Sequence, residues 1–200
     1  MYYILDIETK PNPKLLDVYM QNIKAPSNYK TKEAIEKYMK TKEKEARKNM
    51  SVDTDYAEIF CIWVKKRQED GKWWTNLMTL EEFIPFMWDM SNEDVFVTFN
   101  WKKFDLPVLL KAHIKNKEIR NVKLLNRMMK RYNAEQHIDL MEIISNYDKP
   151  KSLDTYLQIY LGIKKKEIDF DTCEDDELCW HCVEDLENTA KLFTLFKPII

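Results

Sequence analysis

"MYYILDIETK" (residues 1–10) sets two carboxylates, Asp6 and Glu8, into what otherwise reads as a buried strand. Residues 2–7 (YYILDI) are rich in strand-forming side chains. Alternate residues of a strand project to one side, so Asp6 and Glu8 face the same way. Two carboxylates held that close repel each other and lose hydration. They need a raised pKa, a cationic partner or a metal ion. Mg²⁺ suits such a pair because it takes carboxylate oxygens and keeps waters for a phosphate substrate. The plainer alternative leaves Glu8 in solvent beyond the strand end and uses Asp6 as a helix cap.

Outward from this strand, 200 residues with 44% hydrophobic and 12% aromatic content give enough apolar material for one α/β domain and exclude a disordered chain. With only two glycines, turns must be built from Asn, Asp, Pro and Lys. Residues 11–56 read as a Lys-rich helical insertion within a single domain spanning 1–200. Its helix lies around 31–49 on a thin stripe of Ile35, Tyr38, Met39 and Ala46. A strand at 58–66 and a return strand at 73–79 flank Asp70-Gly71, a strong hairpin-turn signal. A helix with Pro85 inside follows at 80–90, then a nearly all-apolar strand at 95–99. Further expectations are a helix from about Asp105, a short strand at 137–139 and a helix from Leu140. Ser152 and Gly162 read as the two caps of the next helix, and a last helix covers 174–196. The pattern predicts a mixed sheet covered by helices, with an antiparallel three-strand start followed by parallel strands.

Charge is distributed unevenly around a net of −2. Residues 101–136 carry ten basic and three acidic side chains, and residues 24–48 carry nine and four. Residues 164–187 reverse this, with three basic and ten acidic. Each run alone reads as a solvated helix face; together they suit a protein that grips phosphates beside a carboxylate-rich metal site. Strand-like residues follow Met1 directly, and no run of about 18 apolar residues occurs, so the expectation is a cytoplasmic chain without leader or membrane span. Cys61, Cys173, Cys179 and Cys182 are then expected as reduced thiols.

Two further stretches carry acids. In "VTFNWKKFDLPVLL" (97–110) a buried strand ends at Asn100 and a helix begins near Asp105, at a strand's carboxyl end, where open α/β sheets bind ligands. An ordinary first-turn helix acid is the alternative for Asp105. In "HCVEDLENTAKLF" (181–193) His181 and Asp185 are i,i+4 neighbours on one helix face, against the alternative of a solvated acidic face. "CWHC" with Cys173 nearby also offers a zinc reading through Cys173, Cys179, His181 and Cys182.

Taken in order, "LDIET", "FNWKKFDLPVL" and "HCVEDLENTAKLF" closely resemble the three motifs of the DEDD-type (DnaQ-like) 3′–5′ exonucleases, which have a ribonuclease H-like fold. "APSNYKTKEAIEKYMKTKEKEA" and "HIDLMEIIS…KSLDTYLQIYLGI" look like the polymerase B-like exonucleases encoded by bacteriophages. The resemblance implies that Asp6, Glu8, Asp105 and Asp185 hold two Mg²⁺ or Mn²⁺ ions. It implies hydrolysis from the 3′ end of DNA, preferably single-stranded, releasing nucleoside 5′-monophosphates. An exoribonuclease and a catalytically weak DNA-end-binding subunit are the alternatives. A replication or repair protein acting in trans is the further expected partner, and the host cytoplasm the location for a phage-encoded chain.

One position departs from the family pattern. Members place a Tyr four residues before the last Asp or a His five before it; here His181 stands at the first address and Trp180 at the second. Histidine, with an ordinary pKa of about 6.5, remains a suitable proton acceptor near neutrality. Thr9 and Asn100 match positions near the terminal nucleotide. Trp101 could stack on a base, although core packing is preferred for it. Lys30, Lys102, Lys103 and the basic 111–131 stretch are candidate phosphate contacts, and Asp139 is read as a helix N-cap near the metals.

Overall fold

In the computed structural model, residues 1–68, 72–130, 132, 135–166 and 174–200 are described. The elements run β1 (Tyr2–Pro11), α1 (Leu16–Met20), α2 (Lys32–Ser51), β2 (Ala57–Arg67), β3 (Trp73–Met78), α3 (Leu80–Trp88) and β4 (Val95–Thr98). They continue with α4 (Asp105–Lys115), α5 (Ile119–Met128), β5 (His137–Asp139), α6 (Leu140–Ile144), α7 (Leu153–Leu161) and α8 (Asp175–Phe196). The chain divides into two compact units, one of Met1–Glu8 with Ile59–Ile200 and one of Thr9–Glu58.

The sheet has five strands in the order β3-β2-β1-β4-β5. β2 and β3 pair antiparallel, whereas β1 with β4 and β4 with β5 pair parallel. This is the mixed α/β sheet expected from the strand pattern. Asp70-Gly71, the expected hairpin turn, lies outside the described residues, although the Ile62–Met78 to Arg67–Trp73 register has the hairpin sense.

Strand alternation explains how β1 serves two layers. Its Ile4 joins a core with Val97 and Ile138 of the sheet, Tyr156 and Leu157 of α7, and Leu186, Ala190 and Phe193 of α8. Tyr3 faces the other layer, where its ring meets Phe86 of α3 and Phe96 of β4. Phe83, Phe96, Leu106, Leu109 and Leu125 are fully buried. Each such side chain favours the folded state by about 1.5–3 kcal/mol relative to exposure.

Local signals set the element ends. Thr79 and Glu82 form a reciprocal capping box at the start of α3. Pro85 sits inside that helix, which ends at Trp88. Ser152 accepts from the Thr155 N–H to start α7, and Gly162 ends it in the left-handed region at φ 65°. In the Thr9–Glu58 unit, Thr31 caps α2, whose long exposed face is laced by the Arg47–Glu43 pair. α2 buries only Ala46 and Met50 of its twenty residues.

Candidate metal and catalytic site

The site is built where the carboxyl ends of β1 and β4 meet the first half of α8. Ile4, Asp6 and Glu8 project from one side of β1, towards α8. The Cys182 thiol donates to Asp6 Oδ2 at 3.4 Å, and His181 Nδ1 lies 3.4 Å from Glu8 Oε1. One ligand atom each from Asp6, Glu8 and Cys182 lies within 4.8 Å of the others. The strand therefore does not let Glu8 run free into solvent, nor make Asp6 a helix cap.

Asp105 is the first residue of α4, reached by a tight turn after β4. That turn requires Asn100 to adopt φ 64°, a left-handed conformation that Asn tolerates better than most residues. Asp185 lies on α8, one turn beyond His181 and three residues past Cys182. Burial pushes the Asp6 carboxyl well above the usual carboxylate range, and the charges of Asp105, Glu8 and Asp185 push it further. Burial and the Glu8 charge raise Asp105 in the same way. These mutual effects put all four acids into one electrostatic group. Lys165 of the loop after α7 forms an ion pair with Asp185 Oδ1.

Hard carboxylate oxygens in this number suit Mg²⁺ or Mn²⁺, and the repulsion among them is the strain that a divalent ion relieves. The adjoining thiol is a softer donor held within the same group. The zinc reading that paired Cys173 with "CWHC" falls partly outside the described residues. Cys179 turns instead to Cys61 of β2, with 3.9 Å between the sulfurs, while His181 faces Glu8.

The remaining expected site residues separate into different environments. Thr9 donates its hydroxyl to the Ser51 carbonyl at 2.7 Å within the Thr9–Glu58 unit. Asn100 follows β4; its N–H bonds to Asp139 Oδ1, and its own side-chain oxygen is buried with no hydrogen-bond partner among the described residues. Trp101 packs in the core, as preferred for it from the sequence, and its base-stacking reading is corrected: at 1% exposure it offers no ring face to a base. Lys103 is exposed, as a phosphate contact must be. Lys102 is not, because its ammonium pairs with Glu142 at 2.7 Å in a nearly buried position. Asp139 caps α6 and accepts the N–H groups of Asn100, Lys102 and Met141. Sequence reasoning missed Lys165 and the nearness of Cys61 and Cys182 to the acids. Nothing in their spacing links them to β1.

No helix among the described residues is long and apolar enough to cross a membrane. The family model RNase_H_2, described as the RNase_H superfamily, matches residues 50–174, well over half of the chain. That span includes Asn100, Asp105 and Asp139, and leaves Asp6, Glu8, His181 and Asp185 outside. No curated protein matches the chain.

Proposed function

Because this chain belongs to the RNase H superfamily, a grouping that points to nuclease-type activity, we propose that it is a metal-dependent 3′–5′ exonuclease. It removes nucleoside 5′-monophosphates from the 3′ end of DNA, with single strands preferred. The observation that carries this reading is the convergence of Asp6, Glu8, Asp105 and Asp185 into one electrostatic group beside His181.

Asp6, Glu8, Asp105 and Asp185 would hold two Mg²⁺ or Mn²⁺ ions. When bound, the ions supply a water of lowered pKa as nucleophile and neutralise charge at the leaving 3′ oxygen. His181, oriented on Glu8, accepts the proton of the attacking water near neutral pH. Asn100 holds the terminal nucleotide beside Asp105. Exposed Lys103, in the turn between β4 and α4, contacts the phosphate backbone at the carboxyl end of β4, and the basic 111–131 stretch adds to its attraction. An exoribonuclease reading uses the same groups. A non-catalytic end-binding role is less favoured, because every acidic position of the motif set is filled.

Digestion of 3′- and 5′-labelled DNA and RNA, single- and double-stranded, with Mg²⁺, Mn²⁺ or EDTA tests the proposal. The expected result is metal-dependent release of mononucleotides from the 3′ end, fastest on single-stranded DNA. Release from internal positions or from the 5′ end would overturn the polarity. Absence of release from every substrate would overturn the activity.

A further inference from the structure

Among the described residues, Lys165 is a cation in contact with the acidic group that no motif accounts for. Its ammonium forms an ion pair with Asp185 Oδ1, an oxygen buried in the site. The root of the lysine is fixed: its backbone N–H donates to Asp154 Oδ1 at 2.8 Å, and Asp154 lies in the first turn of α7. Gly162 turns the chain out of α7 three residues earlier and so aims the loop at α8. A flexible four-carbon stem lets the ammonium swing away while its backbone stays in place.

We propose that Lys165 is a built-in counter-ion for the carboxylate group, displaced from Asp185 when a divalent ion binds. The proposal rests on the nuclease reading of the site and adds a residue to it. Four carboxylates gathered in a half-buried site need positive charge when no metal is bound. Among the described residues, two basic side chains reach them, His181 at Glu8 and Lys165 at Asp185. An ammonium on a carboxylate oxygen occupies the lone pair that a metal ion uses. The ion carries twice the charge and can approach several acids at once, so the exchange runs in its favour. Lys165 then acts through Asp185, setting how tightly the ion is taken up.

The test is isothermal titration of Mn²⁺ into the full chain, as wild type, Lys165→Met and Lys165→Arg. Without the competing cation, Lys165→Met should bind its tightest Mn²⁺ about tenfold more strongly, while Lys165→Arg stays near wild type. In EDTA, Lys165→Met should melt below wild type, with the gap closing once Mn²⁺ is added. A plain structural ion pair would lower the melting point in both conditions without tightening the metal. If Lys165→Met does not fold in EDTA, Mn²⁺ must restore its circular dichroism, and failure to do so overturns the proposal. Unchanged or weaker Mn²⁺ binding by Lys165→Met, with the wild type binding normally, also overturns it and leaves the nuclease reading standing. A wild type that binds no Mn²⁺ removes the nuclease reading itself.

Discussion

At the end of β5 the Asp139 carboxylate accepts three backbone N–H groups, whereas on β1 the Asp6 carboxylate meets one thiol and the charges of three other acids. Both belong to the parallel part of one sheet, and burial raises the pKa of both. At Asp139 the donors from Asn100 and Lys102 pull the pKa back down, and the acid organises the turn after β4 and the start of α6. At Asp6 little opposes the rise. A satisfied buried acid serves the fold; an acid kept among like charges works against it, a cost that the proposed metal ion would relieve.

The largest effect should follow from breaking the unsatisfied side. Asp6→Asn should lower nuclease turnover by about a thousandfold or more, the scale of a lost metal ligand. In EDTA the same change should raise stability by about 1 kcal/mol or more, because it removes a repelled buried charge. Urea denaturation beside a turnover assay reads both. His181→Ala should come next, at about a hundredfold in turnover. The loss should be in turnover rather than in Mn²⁺ binding, read by comparing the two in the variant and the wild type. Wild-type turnover by His181→Ala would remove His181 as the proton acceptor.

The satisfied side should respond in the opposite currency. Asp139→Asn keeps one acceptor oxygen but sets an NH₂ group against backbone donors. It should cost about 2–3 kcal/mol of stability, seen as a lower urea midpoint, with turnover reduced far less than in Asp6→Asn. A smaller effect belongs to His137, beside Asp139 on β5. Its Nε2 lies 2.8 Å from the Thr98 hydroxyl and its Nδ1 3.3 Å from the Met128 carbonyl. Neutral imidazole satisfies both as acceptor and donor. Burial holds its pKa down to about 3. An unfolded histidine binds its proton at about pH 6.5, so between these values the unfolded chain carries the extra proton. The contribution is therefore complete above about pH 6.5 and is lost as pH falls, by up to about 1.4 kcal/mol per pH unit. His137→Gln should flatten the acid limb of stability against pH by that amount.

Much of this contrast was legible in the sequence, for a physical reason. Asp6 and Glu8 are linked by the two-residue period of a strand, and His181 and Asp185 by the turn of a helix, so local geometry alone pairs them. Ser152, Gly162 and the acid at position 139 act on their own neighbours, and their capping roles are likewise local. What could not be read depends on contacts between distant segments. Lys165 meets Asp185 across the α7–α8 connection, and Cys61 meets Cys179 across 118 residues. Lys102 sits in a basic stretch that looks exposed, yet the turn after β4 brings its ammonium to Glu142.

The acids of β1, α4 and α8 are proposed to form a metal site to which Asp139 does not belong. Counting bound Mn²⁺ by electron paramagnetic resonance in wild type, Asp6→Asn and Asp139→Asn tests this most directly. The account predicts saturable binding of two ions to wild type and to Asp139→Asn, and loss of at least one from Asp6→Asn. Equal binding by wild type and Asp6→Asn, or no saturable binding by the wild type, would contradict it.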